Sequence, residues 1–133
     1  MRGKSAQLQI NLAALIALSA TTIAASPAAA MSFNFTWEGV NACGSSPPAF
    51  TLSDVPRETK QLAFRMVDLD YPSYPHGGGT IAYQGDQIPA GSFSYKGPCP
   101  PRGQHTYQWT VKALDANGKM LATAVTSRPF PPR

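Results

Sequence analysis

Gly97-Pro-Cys-Pro-Pro-Arg-Gly-Gln-His-Thr-Tyr107 runs directly into Gln108-Trp-Thr-Val-Lys-Ala113, and the fold follows from how these two halves differ. The first half holds three prolines and two glycines within Gly97–Gly103, which rules out helix and the interior of a sheet. The second half alternates. His105, Tyr107, Trp109, Val111 and Ala113 fall on one face of a strand, and Thr106, Gln108, Thr110 and Lys112 on the other. A stiff loop thus delivers an imidazole and a phenol to one side of a strand at its mouth, where binding sites are commonly built. The alternative is that both rings are ordinary half-buried strand residues.

The same alternation recurs along the chain. Ser32–Trp37 places Phe33, Phe35 and Trp37 on one face; Ala49–Ser53 is a short second strand; Gln61–Val67 places Leu62, Phe64 and Met66 together. Thr80–Tyr83 and Met120–Thr126 read as further strands, Phe93 and Tyr95 alternate with Ser94, and Gly85–Gly91 reads as a turn. Asp115-Ala-Asn-Gly118 is a hairpin turn. Tyr71–Gly79, with two prolines and three glycines, reads as a loop that leaves the ladder, and Arg128–Arg133 as an extended proline-rich tail. Short strands separated by turn signals predict an all-β antiparallel sandwich.

The N-terminus has a different character. Arg2 and Lys4 precede an uncharged, largely apolar run from Leu12 to Ala25, then Ala28-Ala29-Ala30. Residues 1–30 read as a secretory signal peptide with a helical apolar segment, and Met31–Arg133 as a single domain. The apolar run is short for a membrane span, so no stable span is expected after cleavage, and the location is periplasmic or secreted. The net charge of +4 falls to about +2 without Arg2 and Lys4, and the remaining positives are scattered, so no nucleic-acid partner is expected. Cys43 and Cys99 make an even count in an exported chain, which favours a disulfide over two buried thiols.

The chemistry candidates gather around two stretches. Asp68 and Asp70, two apart, share a face if the strand persists; alternatively one of them caps the turn that follows. His76 precedes Gly77-Gly-Gly79. Together with His105 these residues match no recognised metal-ligand spacing, so no metal is expected, nor any cofactor. A Cys99–His105 nucleophile pair is disfavoured by the flanking prolines and the expected disulfide. No nucleophile–base set is evident, and no catalysis is expected.

Asp68-Leu-Asp-Tyr-Pro72 followed by Gly97–Tyr107, with Ser46-Pro-Pro48 before and Ile88-Pro89 between, resembles the phosphatidylethanolamine-binding protein family, in particular its bacterial branch. The resemblance implies an antiparallel β-sandwich with a small anion-accepting pocket. By matching positions it implies ligand contacts from Asp68, Asp70 and Pro72 on one loop and Pro100, His105 and Tyr107 on the other. Leu69 stands where the family has proline. The family's histidine pair, about six residues before Ile-Pro, falls at Ala82-Tyr83, which has no imidazole, leaving His76 to supply one. The function expected is non-catalytic binding of a small anionic or phosphorylated ligand. The alternative is a protein-interaction module, such as a protease or signalling inhibitor, whose contact surface is the exposed loops and the Pro-Phe-Pro-Pro tail.

Overall fold

A computed structural model describes residues 3, 17–25, 27 and 29–133. Seven strands follow in order: β1 Ser32–Phe35, β2 Phe50–Ser53, β3 Gln61–Asp68, β4 Gly78–Ala82, β5 Gln87–Ile88, β6 His105–Leu114 and β7 Met120–Phe130. They form two antiparallel sheets, one ordered β1-β2-β5 and the other β4-β3-β6-β7. There is no helix among the described residues. Most of the expected leader helix lies outside the described residues. Its part in 17–25 is exposed and has no regular structure.

The inward faces are those that the alternation marks. Phe33, Phe35, Phe50, Leu52 and Ile88 from one sheet meet Leu62, Phe64, Met66, Tyr107, Trp109, Val111 and Ala113 from the other. Phe50 sits at the centre, its ring 4.8 Å from Phe64 and 5.2 Å from Trp109 across the sandwich. Along one side the two sheets are joined by side chains. Thr126 Oγ1 donates to the Phe33 carbonyl at 3.0 Å, and Arg128 Nη2 donates to Asn34 Oδ1 at 2.6 Å.

Four local expectations change. The Gly77–Gly79 run does not leave the ladder: Gly78 and Gly79 pair with Arg65 and Phe64 at the start of β4. Glycine is required there for space, because a Cβ at Gly78 would overlap the Phe64 carbonyl and one at Gly79 would lie 2.6 Å from the Phe93 Cβ. The Gly85–Gly91 turn contains the two-residue strand β5, which pairs with β2. Phe93–Tyr95 is not a strand; its backbone joins loops, with Tyr95 N–H donating to the Ser45 carbonyl at 3.1 Å. Arg128–Phe130 is not free tail: β7 runs through it, and Phe130 pairs with His105 and is buried.

Candidate functional site

Asp68 ends β3 and His105 begins β6, and the β3–β6 register brings these two ends together, Asp68 opposite Tyr107. His105 Nδ1 lies 2.7 Å from Asp68 Oδ2. The other Asp68 oxygen accepts from the backbone N–H of Asp70 at 2.9 Å and of Tyr71 at 3.1 Å. Asp68 therefore caps the turn after β3 with one oxygen and orients the imidazole with the other. Asp70 reaches back across the same gap, its Oδ2 accepting from Thr106 N–H at 2.7 Å. Three of the four carboxylate oxygens of this pair are thus already engaged by the protein.

Burial pushes the Asp68 carboxyl up. The His105 hydrogen bond, the Asp70 N–H, the His105 charge and the Tyr71 N–H together outweigh it, and hold Asp68 below the usual carboxylate range. A carboxyl whose folded value is lowered stabilises the fold above its unfolded value, 3.8, and that contribution is lost as the pH falls through the folded value. Thermal unfolding of wild type and Asp68→Asn will therefore differ by a constant amount near neutrality. The gap will close as the pH drops below about 4. A gap that stays constant down to the acid limit would show that Asp68 gains nothing from these partners.

The second loop is held in place by the first half of the chain. Cys43 and Cys99 form a disulfide, with Cα atoms 4.6 Å apart. Around it the backbones pair: Cys43 N–H donates to the Pro98 carbonyl at 2.8 Å and Gly97 N–H to the Gly44 carbonyl at 2.7 Å. A Cβ at Gly97 would lie 2.6 Å from the Gly44 oxygen, which explains the glycine. On its other side the segment holds His76. Lys96 N–H donates to the His76 carbonyl at 2.9 Å, and His76 Nδ1 donates to the Lys96 carbonyl at 2.6 Å. His76 is buried, and its fixed Nδ1–H leaves Nε2 as the acceptor of the neutral ring.

Between these loops lies a cavity of about 390 Å³, lined by Asp68, Asp70, Tyr71, Tyr74, His76, Cys99, Pro101 and His105. Four of the seven ligand-contact residues expected from the sequence therefore line one cavity: Asp68, Asp70, His76 and His105. Three do not. Pro72 is exposed in the turn beyond the wall, and Pro100 is half-buried beside it, with the neighbouring Cys99 and Pro101 on the cavity side. Tyr107 is fully buried behind the wall, its ring 5.4 Å from that of His76 and 6.3 Å from that of His105. Burial, then the Asp68 charge, pushes its hydroxyl up to about 12. Tyr107 backs the wall and is not among the residues that line the cavity. The aromatic residues that do line the cavity are Tyr71 and Tyr74; their signal is two tyrosines, each followed by a proline, in the loop after Asp70. Asp68, Asp70 and His105 also bring one ligand atom each within 4.8 Å of the others, although Asp68 is already engaged through both oxygens.

No family model matches the chain. A UPF0098 protein of Chlamydia trachomatis is 36% identical over 54% of this chain and 61% of its own length, and one of Chlamydia muridarum is 34% identical over the same shares. The chain thus spans about three fifths of these relatives. Among solved structures, a phosphatidylethanolamine-binding protein homologue from Chlamydia trachomatis superposes with a TM-score of 0.59 at 21% identity, covering 78% of this chain and 99% of the homologue. E. coli YbcL, described as a member of the mammalian family, gives 0.54 at 22% identity, covering 66% of this chain and 81% of YbcL. The fold neighbours thus agree with the resemblance carried by Asp68–Pro72 and Gly97–Tyr107: this chain has the fold of the phosphatidylethanolamine-binding protein family.

Proposed function

We propose that this is an exported binding protein whose cavity takes a small anionic ligand, a phosphoryl head group being the best fit, and releases it unchanged. The observation that carries the reading is the Asp68–His105 pair. Because Nδ1 is committed to Asp68, a second proton on His105 sits on Nε2 and turns it into a charged donor for an oxyanion. Most carboxylate oxygens in the cavity are already satisfied by the protein, which lessens their repulsion of an anion. The remaining Asp70 oxygen is available to a ligand ammonium or hydroxyl. Tyr71, Tyr74 and Pro101 supply the apolar walls that small-ligand sites use. The disulfide supports an oxidising compartment. No side chain in the cavity is arranged as a nucleophile with its base.

Phosphoethanolamine, titrated into the protein and followed by calorimetry at neutral pH, will bind saturably with one ligand per chain. His105→Gln will weaken it roughly tenfold or more, the worth of one hydrogen bond to a charged group. The ligand will be recovered intact. An absence of binding, or an affinity that His105→Gln leaves unchanged, would sink the proposal.

A second reading has its own observation. Leu69, Tyr71 and Tyr74, in the loop after β3, are exposed by 44%, 57% and 41%, and the two tyrosines line the cavity, as a contact patch for a protein partner would. In that reading Phe130 takes no part, because it is buried, whereas Pro129, Pro131 and Pro132 of the tail are exposed.

A further inference from the structure

A second groove, of about 600 Å³, lies at the side where β1 approaches β7, and it shares no lining residue with the cavity. Thr36, Trp37, Gln104, Thr106, Arg128 and Arg133 are among its lining residues, and none of the residues that line it is acidic.

Arg128 is the unusual group. It is half-buried, with its guanidinium 5.6 Å above the Phe35 ring and one nitrogen donating to Asn34. None of the chain's seven acidic residues pairs with it; the ion pair among the described residues is His105–Asp68. A partly desolvated charge without a counter-charge is costly unless something supplies one. Two of the groove's donors also lack acceptors. Arg128 Nε is buried and unpartnered, and so is the indole Nε1–H of Trp37, a residue only 5% exposed. Arginine and indole can only donate. What both groups lack is therefore an acceptor, and beside an unpaired guanidinium the acceptor that fits carries negative charge. Thr36, Thr106 and Gln104 add polar groups able to complete its coordination, although the Gln104 amide also donates to the Pro131 carbonyl at 2.8 Å.

We propose that this groove is a second oxyanion site, centred on Arg128 and Trp37, that takes a carboxylate or phosphate group. It does not rest on the reading of the cavity. It stands back to back with the cavity across the start of β6: His105 faces the cavity, while Gln104 and Thr106 line the groove.

The test uses the whole folded protein, labelled with ¹⁵N. The chain has two tryptophans, so the Trp37 indole N–H is resolved from that of Trp109, and the Arg128 Nε–H reports separately. Sodium acetate and inorganic phosphate are titrated at constant ionic strength and neutral pH. The expected result is a saturable shift of the Trp37 and Arg128 signals with a still Trp109, retained in His105→Gln. Arg128→Gln should weaken it about tenfold, the loss of a charge-assisted hydrogen bond. The tighter of the two anions identifies the group. Trp37 and Arg128 signals that do not move in wild-type protein overturn the proposal, whether or not Arg128→Gln folds. Shifts lost in His105→Gln and kept in Arg128→Gln would overturn it as well, by assigning the binding to the cavity.

Discussion

Replacing Cys43 and Cys99 together with alanine will lower the unfolding free energy by about 4 kcal/mol, the chain-entropy value for a closure between residues 56 apart. Urea denaturation measures it, and the slope will rise with the loss, because the uncrosslinked chain exposes more surface when unfolded. A loss below about 1 kcal/mol would mean that closure of this loop adds little beyond the backbone pairing around it. The site will feel the change too. Cys99 is part of the cavity wall, and the Gly97–Cys99 segment is held on one side by Cys43 and Gly44 and on the other by His76. Without the bridge only two backbone hydrogen bonds, from Cys43 and Gly97, join it to the 43–44 backbone.

Phe50→Ala will cost roughly 3–5 kcal/mol, the range for truncating a buried phenylalanine. Phe50 is 1% exposed and is the ring that touches both sheets: Phe33 and Phe35 beside it, Phe64 and Trp109 opposite. Removing it leaves a hole between layers that β2, only four residues long, has little backbone to close. Phe50→Leu, measured in the same denaturation series, should lose distinctly less, since it keeps most of the volume. Equal losses for the two variants would show that edge geometry of the ring, and not filled volume, holds the layers together.

The parts of the fold written in period-two alternation were legible. The inward face of β6 from Tyr107 to Ala113 and those of β1 and β3 could be read residue by residue, because a face buried against another layer must be apolar at every second position. Glycine and proline misled. Gly78 and Gly79 looked like loop residues, yet they are in a strand because the backbone there runs against the Phe64 carbonyl and the Phe93 ring, a constraint carried by residues far away in sequence. In the site, Asp68, Asp70 and His105 were legible because the motif keeps their spacing. The wall was not. Alternation puts Tyr107 on the face of His105 but does not say how deep that face lies, and Tyr107 lies buried behind the cavity wall. Tyr71 and Tyr74 were passed over because nothing local distinguishes a wall aromatic from a solvated one.

The side-chain seam between β1 and β7 also decides how the protein meets copies of itself. β7, at eleven residues the longest strand, is an outer strand of its sheet, and a bare edge of that length would invite another chain to add to it. It is shielded by β1, whose Phe33 carbonyl and Asn34 side chain take up Thr126 and Arg128, and Pro129 offers no N–H for pairing. The other outer strands are β4 and β5, five residues beginning with two glycines and two residues respectively. Both are too short to template a growing sheet, so the architecture guards itself against edge-to-edge aggregation.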